Sequence, residues 1–261
     1  MKVQDVISAL DQFAPLPLQE GFDNAGLQIG LTEAEVSGAL LCIDVTEETI
    51  AEAKRRGLNL IVSHHPLLFH PLRSITGVDH VQRIAMQAVR EGVAVCSWHT
   101  NIDCARGGVN FKMAEKLGLE NVRFIGGLKQ CGEVQGAPGV VGEFAGPMGQ
   151  EAFVALLKKA FGAAVVQTNA LTGRIVKSVA LCGGSGGFML GPAAEAGADA
   201  FVTGEMHYHE FFGRDGQILI AAIGHYESER HTTEIFRDII TAACPGLECH
   251  TMETNPVTYH T

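Results

Sequence analysis

The sequence has few charged residues and no extended basic cluster. Asp, Glu, Lys and Arg make up 18% of its 261 residues, and the formal net charge is −10 at pH 7 with histidine counted as neutral. Basic residues adjoin one another only in the short runs Lys54-Arg55-Arg56 and Lys158-Lys159. Proteins that bind nucleic acid present a positively charged surface to the phosphates. We therefore expect no nucleic-acid partner.

The sequence also lacks a membrane-spanning run, a secretion signal and a cysteine motif. No apolar run reaches the ~20 residues that a transmembrane helix needs. The N-terminus does not combine a cationic, a hydrophobic and a small-residue segment. The seven cysteines are scattered and odd in number, which favours a reduced interior. These absences predict a cytoplasmic protein that has no membrane partner.

What the sequence does contain is apolar residues and glycine. Hydrophobic residues make up 46% of the chain, and its 31 glycines are spread over many short turns. A chain of this length corresponds to one large or two small domains and can bury a substantial core. The composition therefore predicts an ordered protein with many strand–helix junctions.

Residues 39–118 alternate between strand and helix patterns. Short apolar runs such as LNLIVSHH are followed by amphipathic stretches such as HVQRIAMQAVREG. Thr46 is the predicted N-cap of one helix, and Gly57 follows the end of that helix. The alternation is typical of a parallel sheet covered by helices, and it predicts an α/β fold.

The remaining segments extend this prediction. Residues 16–38 are predicted to be a loop, and residues 121–150, rich in Gly and Val, an antiparallel excursion or domain junction. The second half then repeats the α/β pattern. A single helix is predicted from His225 to Cys244, where Pro245 ends it.

Five potential metal ligands lie at predicted strand ends or in loops: His64, His65, Asp103, His225 and Glu229. Imidazole and carboxylate together suit divalent Zn, Fe, Mn or Ni. One four-coordinate ion does not need five ligands, and an aspartate can bridge two ions. The set therefore predicts a two-metal site and hydrolytic chemistry. A single histidine at a strand end is more often a structural hydrogen-bonding residue, and this alternative stays open for each of them.

The spacing of these residues is compatible with such a site. Adjacent side chains in a strand point to opposite faces, so His64 and His65 share a site only if the backbone turns there. Pro66 follows directly and disfavours helical torsions at His65, as expected at the end of a strand. His225 and Glu229 are four residues apart and share one face of a helix.

Several stretches of the sequence match the motifs of one known family. They are DNAGLQIG (23–30), SHHPLLF (63–69), HTNID (99–103), CGGSG (182–186), TGEMHYHE (203–210) and GHYESE (224–229). With these motifs in this order, the chain resembles over its whole length the NIF-three-like dinuclear metal-centre family, whose members are called GTP cyclohydrolase 1 type 2 homologs. It resembles the short form, which lacks an inserted domain.

The resemblance implies the same five metal ligands and two divalent ions per subunit. It also implies two interleaved three-layer α/β lobes with mostly parallel sheets, residues 1–120 plus 222–261 and residues 121–221. Family members form ring-shaped homohexamers. The implied activity is a metal-dependent hydrolase for a small-molecule substrate, a nucleotide or another phosphate-bearing compound. His99 and His209 match family positions near the metals and are the candidate catalytic residues, as proton carriers.

Other functions remain compatible with the same sequence. A ring of subunits with inward-facing metal pairs also suits a non-enzymatic metal carrier or a regulatory scaffold. The glycine-rich loop 183–187 either cradles a phosphate through its N–H groups or forms a tight turn. Glu205 is either a surface carboxylate or an orienting partner of a ligand histidine. His207 is interpreted as a structural histidine.

Overall fold

The computed structural model describes residues 1–260 and shows an α/β architecture. The helices are α1 (Val3–Phe13), α2 (Glu47–Arg55), α3 (His80–Glu91), α4 (Thr100–Cys104), α5 (Val109–Leu117), α6 (Gln150–Phe161), α7 (Leu190–Glu195), α8 (His225–Glu229) and α9 (Thr232–Ala243). The strands are β1 (Gly26–Ile29), β2 (Ala39–Cys42), β3 (Leu60–Ser63), β4 (Ala94–Ser97), β5 (Glu120–Ile125), β6 (Lys129–Cys131), β7 (Val134–Gly136), β8 (Gly139–Gly149), β9 (Gln167–Thr168), β10 (Ile175–Cys182), β11 (Ala200–Thr203), β12 (Leu219–Ala222) and β13 (Cys249–Thr251). Within this described part, no helix combines the length and apolar character needed to cross a membrane.

The chain forms two compact units. Unit 1 comprises Met1–Ile102 and Thr232–Thr258, and unit 2 comprises Asp103–His231 with the last residues from Tyr259. The chain thus leaves unit 1, forms unit 2 and returns to unit 1 through α9 and β13.

The lobe limits predicted from the sequence, residues 120 and 222, differ from the limits of these units. The predicted first lobe includes helix α5, and this helix packs against β8, β10 and α6 in unit 2. The division into two interleaved lobes at these residues stays a prediction.

Unit 1 is built on a sheet with the strand order β1-β4-β3-β2-β13. Strands β4, β3, β2 and β13 run parallel, and helices α2 and α3 cover one face through Ile50, Ala53, Ile84 and Ala88. Helix α9 packs against α1 and β2. Thr46 caps α2 as predicted, because its side chain accepts a hydrogen bond from the N–H of Thr49.

Strand β1 corrects the prediction that residues 16–38 are entirely loop. It pairs antiparallel with β4, with Gly26 opposite Ser97. Four residues carrying a polar Gln28 are too few to show a strand pattern, so pairing in the tertiary structure decides their conformation. Gly30 ends the strand, where an added Cβ would lie 2.7 Å from the Cβ of Ala94.

Unit 2 contains a sheet with the strand order β5-β8-β10-β11-β12-β9. Its centre, β10-β11-β12, is parallel, whereas β5, β8 and β9 pair antiparallel. Alternate residues of β10 pack on opposite faces: Val179 and Leu181 against α5 and α6, Ala180 and Cys182 against α7. The predicted α/β class and the antiparallel segment within 121–150 are confirmed.

The helix predicted from His225 to Cys244 is two helices. Helix α8 ends at Glu229, and α9 begins at Thr232. The interruption coincides with the return of the chain from unit 2 to unit 1. Helix α8 therefore belongs to unit 2 and helix α9 to unit 1. The continuous helical pattern of the sequence does not show this division.

All seven cysteines are free thiols. Cys42, Cys96 and Cys182 are buried in strands β2, β4 and β10. Burial raises the pKa of Cys96 to about 12. Such a thiol stays protonated near neutral pH and is a poor nucleophile.

Candidate metal centre

The carboxyl edge of the unit 1 sheet positions three histidines. The N–H groups of His64 and His65 continue the parallel ladder beyond β3 by donating to Cys42 and Ile43. The Ser63 hydroxyl donates to the carbonyl of His65 at 2.8 Å and closes a turn there. His99 follows β4 on the same edge. Because neighbouring parallel strands end together, their next residues meet.

The three imidazoles form a compact group, which we call the histidine trio (His64, His65 and His99). Their ring centroids lie 5.0, 5.2 and 5.4 Å apart. One ligand nitrogen from each ring lies within 4.8 Å of the others, a spacing that can hold a metal ion. His64 is fully buried.

Each ring of the trio has an oxygen acceptor at Nδ1. The Nδ1 atoms lie 3.0 Å from the Trp98 carbonyl for His64, 2.7 Å from Asp44 Oδ1 for His65, and 2.8 Å from Asp23 Oδ1 for His99. A carbonyl or carboxylate oxygen only accepts, so the neutral imidazole carries its proton on Nδ1 and its lone pair on Nε2. Metal-ligating histidines are oriented in this way.

Asp23 is the most extensively bonded acceptor of the three. Burial raises its pKa, but hydrogen bonds from His99 and from the N–H and hydroxyl of Thr100 outweigh this effect and lower the pKa to about 2. Its side chain has no solvent exposure. The Asp23-Asn24 turn therefore fixes His99, a role that local turn chemistry alone did not indicate.

We expect Asp23 to make the metal-free protein sensitive to acid. Its folded pKa of about 2 lies below the ordinary value of 3.8, so the stabilisation is complete above pH 4 and is lost as the pH falls towards 2. The difference corresponds to about 2 kcal/mol. In urea titrations, Asp23→Asn should be less stable than the parent at pH 5 and should approach it near pH 2. A stability difference that is constant over this range would contradict the assignment.

Unit 2 also carries candidate metal ligands at the carboxyl edge of its sheet. His225 follows β12, Glu205 follows β11, and the glycine loop 183–187 follows β10. His225 Nε2 lies 3.1 Å from Glu229 Oε2, and its Nδ1 lies 3.3 Å from Glu205 Oε1. Glu229 is only 2% exposed. The predicted His225–Glu229 couple thus exists, and Glu205 lies where an orienting partner of His225 is expected.

Glu205 is held in its charged form. The Ser185 hydroxyl donates to Glu205 Oε2 at 2.7 Å, and this hydrogen bond is the main cause that lowers the pKa of Glu205; burial opposes it, and His225 lowers it further. A carboxylate that stays ionised can accept a hydrogen bond from the Nδ1–H group of His225. The arrangement matches that of Asp44 with His65.

The glycine loop packs against helix α8, and three of its N–H groups bond to side chains of the protein. The N–H groups of Gly183, Gly184 and Gly186 donate to the side chains of Asn110, Ser228 and Thr203. These donors are therefore engaged within the protein. Gly184 has a φ of +57°, and an added Cβ would lie 2.2 Å from Glu229 Oε1. Close approach of Glu229 therefore accounts for the glycine at position 184.

Asp103 follows His99 by four residues, and His209 follows Glu205 by four residues. Asp103 is on α4, and its backbone carbonyl accepts a hydrogen bond from Asn110 Nδ2 at 3.0 Å. His209 lies in the 3-10 turn Tyr208–Phe211, with its ring 5.2 Å from that of Tyr208. That the five ligands share one site, and that His99 and His209 are catalytic, remain predictions.

Asp44 is the site residue that sequence reasoning missed. It follows β2, the strand next to β3, and its carboxylate reaches His65. The available signal is an acidic residue two positions after the end of a buried strand that is adjacent in the sheet to the strand preceding two histidines.

Comparisons with known proteins agree with the fold and the motifs. The sequence model of the Duf34/NIF3 family (NGG1p interacting factor 3) matches residues 1–256. The protein named GTP cyclohydrolase 1 type 2 homolog from Clostridium perfringens is 34% identical over 230 residues, covering 88% of this chain and 87% of that protein. Its namesake from Lactococcus lactis is 32% identical over 216 residues, covering 80% and 79%.

Solved structures have the same fold. A Staphylococcus aureus protein superimposes with a TM-score of 0.88 at 24% identity, and a Bacillus cereus protein related to NIF3 with a TM-score of 0.87 at 22% identity. Each alignment covers 100% of this chain and 99% of the other. The family match spans nearly the whole chain and is accompanied by relatives above 30% identity. The chain therefore belongs to the Duf34/NIF3 family.

Proposed function

We propose that the chain is a dinuclear metal-binding protein that acts as a metal-dependent hydrolase on a nucleotide or another phosphate-bearing substrate. The observation that carries the proposal is the histidine trio, in which every Nδ1 faces an oxygen acceptor and ligand nitrogens lie within 4.8 Å of one another. A purely structural histidine needs one partner, but it does not need two further imidazoles beside it.

The donor atoms fit divalent ions. Imidazole nitrogens in unit 1, and an imidazole with a buried carboxylate in unit 2, are ligands that Zn, Fe, Mn and Ni accept. The residues that would hold the ions are His64, His65, Asp103, His225 and Glu229, and Asp103 would serve both ions. When bound, such ions lower the pKa of water and stabilise charge that develops on a substrate oxygen.

The protein's own residues would orient ligands and move protons. Asp44 and Glu205 accept from the Nδ1 atoms of His65 and His225 and hold these rings in place. In the proposal His99, anchored by Asp23, moves a proton to or from the reacting group. His209 is a second candidate for this task, since it follows Glu205 closely in the chain.

The substrate class rests on the relatives. Their name, GTP cyclohydrolase 1 type 2 homolog, points to a nucleotide. The assembly proposed by resemblance is a homohexamer, which light scattering of the purified chain would test directly as six times the 27.8 kDa mass.

The test combines metal analysis with an activity screen. Protein purified without chelator should contain two divalent ions per chain and should hydrolyse GTP or a member of a phosphoester panel. His65→Ala should lose metal and activity. The matched control His80→Ala, an exposed histidine at the start of α3, should retain both.

The outcomes separate the possible functions. If His65→Ala loses metal but the parent hydrolyses no substrate, the result would support a metal carrier or regulatory scaffold instead of a hydrolase. Unchanged metal content in His65→Ala would overturn the metal centre itself.

A further inference from the structure

Unit 2 contains a cavity of about 570 Å³. Its walls come from strand β9 with the residues that follow it and from the segment after Glu205. The lining residues include Gln167, Asn169, Met206, Tyr208, Phe212 and Asp215. Small-molecule sites usually have volumes of about 300–1,000 Å³ and combine apolar walls with a few polar groups.

The cavity lies next to the unit 2 group of candidate metal ligands. Met206, one of its walls, directly follows Glu205, whose carboxylate lies 3.3 Å from His225. Strand β9 pairs with the end of β12, with Gln167 opposite Ala222, and His225 begins α8 three residues further on. The carboxyl ends of parallel strands are where ligands bind in α/β sheets.

Two aromatic rings of the wall are exposed to solvent. Tyr208 is 73% exposed and Phe212 is 62% exposed, and their centroids lie 5.3 Å apart at 77°. Burial of an aromatic side chain stabilises a fold, and these two rings do not contribute in this way while they are exposed. A flat unsaturated ligand would cover them by stacking or edge contacts.

The polar groups of the wall select the ligand further. The amide of Asn169 is engaged, because it donates to the carbonyl of Ile218 and accepts from the N–H of Ile220. The other polar side-chain groups of the wall are the Asp215 carboxylate, the Gln167 amide and the hydroxyls of Thr168 and Tyr208, and of these only the carboxylate is charged. No Lys or Arg lines the cavity. An acceptor without basic neighbours favours a neutral ring with N–H donors and disfavours a phosphate.

We propose that this cavity binds a planar nitrogen heterocycle, with its ring against Tyr208 and Phe212 and two adjacent N–H donors directed to Asp215. The proposal deepens the proposed function, because it assigns the heterocyclic part of the substrate to unit 2 beside His225. Binding of the ring does not require metal, so the cavity is testable on its own.

The test measures binding of guanosine, inosine and adenosine to the full chain by calorimetry, with and without chelator. Guanosine offers two adjacent donors to a carboxylate, whereas inosine offers one and adenosine lacks the pair. A hydrogen bond to a charged group contributes about 1.5–3 kcal/mol, so guanosine should bind at least about tenfold more tightly than inosine. Asp215→Asn should remove this preference.

A second variant tests the aromatic wall. Phe212→Ala should weaken binding of all three nucleosides by about fivefold or more, since stacking on an aromatic ring contributes about 1–3 kcal/mol per base. The matched control is Phe188→Ala, another exposed phenylalanine of unit 2 (64%) that does not line the cavity, and it should bind as the parent does.

Three results would overturn the proposal: no nucleoside binding, equal affinity for guanosine and inosine, or parent-like binding by Phe212→Ala. A lower native mass of Phe212→Ala without any nucleoside binding by the parent would instead identify the rings as a contact between copies of the chain. Metal content is measured separately from nucleoside binding. A protein that binds metal but no nucleoside would contradict this proposal and not the metal centre. A protein that binds nucleosides but no metal would contradict the metal centre and not this proposal.

Discussion

An Asp103→Ala variant is expected to bind neither of the two proposed ions, even though a single residue is changed. In the proposal the Asp103 carboxylate would serve both ions. Its removal would therefore take one ligand from each ion and leave the repulsion between their positive charges without the negative charge that offsets it. Elemental analysis of the purified variant should find less than about a tenth of the parent's metal, and hydrolysis should fall with it.

The fold offers a way to separate this effect from unfolding. The segment around Asp103 is held by its backbone carbonyl, which accepts from Asn110, and Asn110 in turn accepts from Gly183. These bonds do not involve the carboxylate and should survive the substitution. Glu115→Ala, which removes a surface ion pair with Lys112 on α5, is the control and should retain both ions. Two ions per chain in Asp103→Ala would show that another residue bridges them.

A Gly184→Ala variant is expected to lose metal affinity through displacement of Glu229. The added Cβ would lie 2.2 Å from Glu229 Oε1 and 3.5 Å from His225 Nε2. The carboxylate is the end of a flexible side chain, so it can move while the backbone stays in place. It would then leave its position beside His225, and we expect metal affinity to fall at least about tenfold, as for loss of a ligand or of its positioning partner.

The positive φ of Gly184 requires a matched control. Alanine at a φ of +57° is strained and costs about 1 kcal/mol regardless of its neighbours. Gly197 has a φ of +76° with no atom near an added Cβ. Gly197→Ala should therefore show a similar loss in the free energy of unfolding, measured in urea, but parent-like metal affinity. Equal metal affinity of the two variants would exclude the contact with Glu229 as the reason for this glycine.

The sequence was sufficient to place the histidine trio at one sheet edge. His64, His65 and His99 directly follow apolar runs in a strand–helix alternation, and parallel strands bring their carboxyl ends together whatever the details of packing. The same reasoning gave the α/β class. His225 and Glu229 were likewise predictable as a pair, because helical periodicity places residues four apart on one face.

Other features depended on contacts between distant segments. Strand β1 exists through its pairing with β4, and its own four residues carry no strand pattern. The helix from His225 is interrupted where the chain returns to unit 1, although its sequence is helical throughout. The orientation of His65 depends on Asp44, and the ionised state of Glu205 depends mainly on Ser185.

The sequence by itself thus determined the fold class, the candidate ligands and the family motifs, because periodicity and strand-end position are local properties of the chain. Only the tertiary structure decided which oxygen faces each imidazole nitrogen, why Gly184 lies against Glu229 and where the aromatic cavity opens. Those features are set by distances between residues far apart in the sequence, and such distances are fixed by packing of the completed sheets.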